Sequence, residues 1–75
     1  MEAAVDHIEV FFSDPKNGWV TMEYDSEGNV LDGAQYNYRK SSAIKEARAM
    51  AGGIYLIKVF GRNGEFQRNL NNAHS

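Results

Sequence analysis

Hydrophobic and polar residues alternate along residues 5–12, with Ile8, Val10 and Phe12 on one face and His7, Glu9 and Phe11 on the other. That is the period of a half-buried strand. Residues 13–18 read as a turn, because Pro15 fixes its own φ and Gly18 accepts a positive one. A second alternating run, residues 19–24, sets Val20, Met22 and Tyr24 against Trp19, Thr21 and Glu23. After a turn over residues 25–29, Val30 and Leu31 open a third strand. Gly33 weakens and bulges it before Tyr36 and Tyr38 resume the alternation.

The pattern then changes period. Ala43, Ile44, Ala47, Met50 and Ala51 recur at the three-and-four spacing of one buried helical face, with Ser41 or Ser42 available as cap and Gly52-Gly53 as the stop. Residues 54–60 are apolar on both faces except at Lys58, as befits a strand near the centre of a sheet. Asn63-Gly64 predicts a hairpin with positive φ at both central residues, leading into a last strand that contains Phe66 and Leu70. The expected fold is α+β: an antiparallel sheet of four to five strands with one helix packed on one face, in the order βββαββ. Residues 1–75 form a single domain, and residues 71–75 fray.

Length limits what this fold can bury. A chain of 75 residues hides only about 60% of the surface its unfolded form exposes, and without cysteine it gains nothing from disulfides or a thiolate metal site. A partner subunit is the remaining support for so thin a core. Glu2, Asp6, His7 and Glu9 interrupt any signal-like apolar run, and no stretch approaches the ~20 apolar residues of a membrane span. These features predict a soluble, cytoplasmic protein without membrane contact.

The net charge of −2 conceals a division. Residues 1–38 carry one lysine and eight acids, a balance of −7, whereas residues 39–75 carry seven basic residues and two acids, a balance of +5. Either the halves neutralise each other across the sheet, or the second half presents a basic surface to an acidic partner.

Candidate chemistry is sparse. His7 reads as an exposed strand residue and His74 as part of a loose tail, and there is no thiol nucleophile. Asp25, Glu27, Asn29 and Asp32 resemble a cation loop. Gly28, however, stands fourth rather than sixth from Asp25, so a solvated turn is the better reading. Gly61-Arg62-Asn63-Gly64 has the Gly-x-x-Gly spelling of an RNA-clamping loop, but strands rather than helices flank it, which favours a plain hairpin. Nothing implies a catalytic residue, a metal or a cofactor. If Ile8, Val10, Val20 and Met22 face the helix, then Phe11 and Trp19 face away, joined by Tyr36 or Tyr38 according to the register. Such an uncovered aromatic face suits self-pairing; the alternative for Trp19 is packing against its strand neighbours or the long stem of an Arg.

Gly18-Trp19-Val20, the helical segment 42–51 and the terminal hairpin 60–66 together resemble a family of short bacterial and phage-borne domains known as domain of unknown function 2188. The resemblance spans residues 8–68. It departs where that family has aspartate in place of Asn63 and a shorter stretch than residues 25–40. It implies no activity and no catalytic residues. The strand-strand-strand-helix order is also similar to the DNA-reading sheet of AP-type plant domains and of phage integrase arm-binding domains. Those sheets present Arg and Lys, whereas Asp6, Glu9, Glu23 and Asp32 here would repel phosphate.

The functional expectation is a small non-enzymatic protein–protein interaction module, a homodimer, of the phage or accessory type acting on a host protein. Phe11, Trp19, Tyr36 and Tyr38 are its candidate contacts. The alternative is nucleic-acid binding through Arg39, Lys40, Lys45, Arg48, Arg62 and Arg68.

Overall fold

The alternating runs form strands β1 (His7–Ser13) and β2 (Gly18–Tyr24), followed by a short β3 (Gln35–Asn37), helix α1 (Lys40–Ala51), β4 (Leu56–Phe60) and β5 (Phe66–Asn71). A computed structural model of the chain describes residues 4–31 and 34–71. The bulge expected at Gly33, together with Asp32, His74 and the fraying expected over residues 72–75, lies outside the described residues. The third strand is shorter than its pattern suggests. Val30 makes only an isolated bridge to Tyr24, and regular pairing resumes at Gln35.

The five strands form one sheet in the order β3-β2-β1-β4-β5, with α1 on one face. The class is α+β, and the order along the chain is βββαββ. One pairing is parallel: β1 lies beside β4 from His7↔Leu56 to Val10↔Val59, while the other neighbours are antiparallel, so the sheet is mixed. Parallel neighbours cannot be joined by a tight hairpin, and α1 supplies the longer crossover connection that they require.

Beneath the helix, Ile8 and Val10 of β1 and Ile57 and Val59 of β4 are fully buried. Burial of each such side chain is worth about 1.5–3 kcal/mol. Ala43, Ala47 and Ala51 are the helix residues buried against them. Spaced four apart, the three methyl groups lie on one helical face and let the helix backbone settle close to the sheet. Trp19, Ile44, Met50, Tyr55 and Leu70 pack around the edge of this cluster.

Both helix ends differ in detail from expectation. Arg39, in extended conformation, is the N-cap and has no side-chain capping bond. Its carbonyl already accepts the Ala43 N–H at 3.1 Å, so Ser41 and Ser42 fall inside the first turn rather than ahead of it. At the other end Gly52 is left-handed (φ 59°, ψ 25°) and donates its N–H to the Arg48 carbonyl. Gly53 also has positive φ, 76°. Ile54 N–H then bonds to the Ala51 carbonyl at 2.9 Å, which makes a further turn. Consequently β4 begins at Leu56 rather than at Ile54, and Ile54 is left 69% exposed.

The three sheet turns share one plan. Asn17, Gly28 and Gly64 each donate an N–H to the carbonyl three residues earlier, of Asp14, Asp25 and Gly61, and each has positive φ (52°, 87° and 87°). The last hairpin therefore uses one left-handed residue, Gly64, and not the Asn63-Gly64 pair. This is a four-residue turn closed by a left-handed residue, the arrangement of a three-residue hairpin loop.

A buried side-chain hydrogen bond ties the sheet to the helix: Thr21 Oγ1 donates to the Ala43 carbonyl at 3.0 Å. Thr21→Val keeps the shape and removes the donor. The expected cost is about 1 kcal/mol, a fall in Tm of roughly 4–8 °C for a domain of this size. Thermal unfolding followed by circular dichroism measures it. An unchanged Tm would show that this bond contributes nothing.

Candidate interaction surfaces

Register decides which residues share a face. Ile8, Val10 and Phe12 lie opposite Glu23, Thr21 and Trp19, whereas Phe11, Glu9 and His7 lie opposite Val20, Met22 and Tyr24. Trp19 is therefore on the helix side, and Val20 and Met22 are on the open side, the reverse of the expected placement. The reason is chemical. Thr21 can be buried under the helix because its hydroxyl finds the Ala43 carbonyl, and hydropathy ranks Val20 and Met22 above it without seeing that partner.

Of the four aromatic candidates, Phe11 and Tyr36 are brought together on the open face through the row Phe11↔Val20↔Tyr36. Trp19 is on the opposite side, and Tyr38 follows β3 outside the ladder, 69% exposed. A groove of about 320 Å³ runs between Phe11, Val20, Met22 and Tyr36. Tyr36 lies across Gly18, where a Cβ would meet its ring at 2.4 Å, and its hydroxyl donates to the Lys16 carbonyl at 3.0 Å. Glycine is thus required at position 18 by close approach; the positive φ expected there falls on Asn17.

The other half of the open face is built by β4 and β5. Leu56 and Lys58 stand beside His7 and Glu9, and Phe60 meets Phe66 edge-on with centroids 5.8 Å apart. Phe66 is 55% exposed. Sequence reasoning missed these residues as surface candidates. The alternation of Leu56, Lys58 and Phe60 against Ile57 and Val59 was the available signal, hidden because both sets are largely apolar.

His7 is not an exposed strand residue. It is 7% exposed and lies stacked on the Tyr24 ring, 5.2 Å between centroids and 5° between planes. Its Nδ1 lies 2.9 Å from Asp6 Oδ2 and its Nε2 lies 2.9 Å from Glu9 Oε2. A doubly protonated ring donates to both carboxylates, whereas a neutral ring donates to one and turns a lone pair towards the other. Burial raises the Tyr24 pKa, with further increases from the Glu9 charge and from the hydrogen bond the phenol gives to Glu9.

On the helix side, two cations sit over rings. Lys40 Nζ lies 5.0 Å from the centre of Trp19, and the Arg62 guanidinium carbon lies 4.4 Å from the centre of Phe12. The two rings meet edge-on at 5.3 Å. Lys40 Nζ also donates to Gln67 Oε1, spanning from the helix to β5. Arg68 is paired with Val59, so it too projects from the helix side. Arg39, Lys45 and Arg48 are exposed at the start and along the outside of α1, apart from this cluster.

The acidic residues do not converge. Asp25 Oδ1 accepts the Glu27 and Asn29 amides at 2.9 and 2.8 Å, so its carboxylate closes its own turn and its pKa is lowered, chiefly by the Asn29 amide. A depression of about 370 Å³ beside Val5 and Asp6 adjoins this turn. Among the described residues no three His, Cys, Asp or Glu side chains are grouped to hold a metal ion. Among them, too, no helix is long and apolar enough to cross a membrane.

Fold and surfaces together define a small α+β domain with a five-strand mixed sheet that carries its helix on one face. Compared with protein-family models, curated proteins and solved structures, the chain matches none.

Two outcomes follow from the open face. Gly18→Ala is expected to push the Tyr36 ring aside and break its bond to Lys16, a loss of about 1 kcal/mol; in a Tyr36→Ala background the same substitution should cost much less, as a double-mutant unfolding cycle would reveal. The second concerns alkaline pH. Because the folded Tyr24 pKa is raised above the ordinary 10.0, its contribution is complete below that value and is lost as pH rises through the folded value. Ultraviolet titration should show one late tyrosinate component, which Tyr24→Phe removes.

Proposed function

We propose that the protein is a non-enzymatic interaction module of the cytoplasm that works as a homodimer, two copies pairing through their open sheet faces. The observation that carries this reading is that α1 covers one face of the sheet and leaves Phe11, Met22, Tyr36, Leu56, Phe60 and Phe66 on the other. The molecule measures 34 and 30 Å along its two longer axes, room enough for the ~800 Å² per partner that a standard interface buries.

Charge supports a second copy as the occupant. Glu9 and Lys58 are cross-strand neighbours on the adjacent strands β1 and β4. A two-fold axis running between and along these strands sets each carboxylate over the ammonium of the other copy, and sets the β1–β2 half of one face over the β4–β5 half of its mate. Such an interface is self-complementary, as two-fold symmetry requires. The non-enzymatic part of this reading is supported by His7, whose two ring nitrogens each face a carboxylate of its own strand or flank, with the ring 7% exposed and away from any substrate.

Sedimentation velocity at micromolar concentration tests the proposal. A dimer is expected, and Lys58→Glu, which confronts the partner's Glu9 with a second carboxylate, should shift it at least tenfold towards monomer; Phe66→Ser should do so without any change of charge. A wild-type chain that stays monomeric, or a dimer indifferent to both substitutions while their circular dichroism is unchanged, would overturn it.

A further inference from the structure

We infer that the channel between α1 and β5 binds single-stranded nucleic acid by its phosphates. This surface is on the helix side of the sheet and does not depend on pairing through the other face. The helix backbone lies over β1 to β4 and makes no contact with β5. The helix-side surface of the outermost strand is therefore uncovered, floored by Leu70 where that residue joins the core.

Cations line this channel, and two of them are held in place. Lys40 bridges it at one end by bonding to Gln67 while lying over Trp19. Arg62 is held over Phe12 at the hairpin, and Arg68 rises from β5 opposite Val59. Packing on a ring orders a long side chain before any ligand arrives, which lowers the entropy lost on binding. Of the seven basic residues from Arg39 to Arg68, three, Lys40, Arg62 and Arg68, are brought to this channel, while Lys58 faces the other side of the sheet. The described acids of the first half lie on β1, β2 and their turns, and of these Asp14 alone belongs to the turn that adjoins the Phe12–Trp19 end.

An acidic protein segment would satisfy the cations alone. An aromatic side chain beside them favours nucleic acid, because every base offers a flat face to stack upon. Tyr38 stands two residues before Lys40 and is 69% exposed. A single row of cations in a channel bordered by one helix and one strand fits one phosphodiester chain better than the two of a duplex. Of the acids expected to repel phosphate, Glu9 lies on the other face of the sheet, and Asp6 and Glu23 lie at the end where β1 starts, whereas the Phe12 and Trp19 rings under Arg62 and Lys40 lie at its far end.

Fluorescence anisotropy with a labelled single-stranded DNA oligonucleotide tests the inference, with the matched duplex and poly-glutamate as comparison probes. Three phosphate contacts predict a slope of log affinity against log salt of about −2, a loss of roughly twentyfold between about 50 and about 200 mM salt. Binding should perturb Trp19 fluorescence through Lys40. The combined Arg62→Ala and Arg68→Ala variant should lose at least tenfold in affinity, and Tyr38→Ala should weaken the oligonucleotide but not poly-glutamate. No binding at the lower salt, binding unchanged in the double variant, a duplex bound more tightly than the single strand, or poly-glutamate bound as tightly as the oligonucleotide would each overturn it.

Discussion

Everything in this fold depends on seating one alanine-faced helix on one parallel pair of strands. β1 and β4 lie side by side in the same direction, so the chain must cross over between them, and α1 is that crossover. Ala43, Ala47 and Ala51 bring its backbone down onto Ile8, Val10, Ile57 and Val59, and Thr21 fastens the first turn through the Ala43 carbonyl. A larger residue at any of the three alanines would lift the helix and open the core beneath it. The seat is also narrow. It reaches four strands, leaves β5 beside it and covers one face of the sheet. Both surfaces discussed above are consequences of that geometry rather than additions to it.

Much of this was legible in the residues. Period-two alternation marks β1 and β2, the three-and-four spacing marks α1, and the glycine pair marks its end, because those signals are local and each is reinforced by turn chemistry. The parallel pairing of β1 with β4 was not legible, since hydropathy within a strand carries no information about which neighbour it joins or in which direction. The start of β4 was misread for a related reason. Ile54 and Tyr55 are as apolar as the strand that follows, yet two consecutive left-handed glycines and the bond from Ile54 to Ala51 hold them in a turn.

The faces of β2 show a second limit. A hydropathy pattern assigns Val20 and Met22 to the core and Thr21 to the surface, and the assignment fails because a buried hydroxyl with a partner can outrank two apolar side chains whose face has none. Trp19 follows Thr21 to the helix side and becomes the ring under Lys40 instead of a patch on the open face. His7 was misread because its partners are not visible as a motif. Asp6 and Glu9 flank it in sequence at spacings that place them on either side of the ring only once β1 is formed and Tyr24 stacks beneath. The division of charge along the chain carries into the sheet, whose order keeps β1 to β3 of the acidic half together and β4 and β5 of the basic half together, while α1 of the basic half lies across both.

A five-strand sheet with a single narrow helix either leaves its second face in water or gives it to a second copy. Isotope-filtered nuclear Overhauser measurements on an equimolar mixture of labelled and unlabelled chains distinguish these most directly. Pairing through the open face about the two-fold axis between β1 and β4 predicts intermolecular contacts from the Val20 methyl groups of one copy to the Phe66 ring of the other, and from the Phe11 ring to the Phe60 ring. The absence of such contacts, or contacts confined to the outer residues of α1, would contradict it.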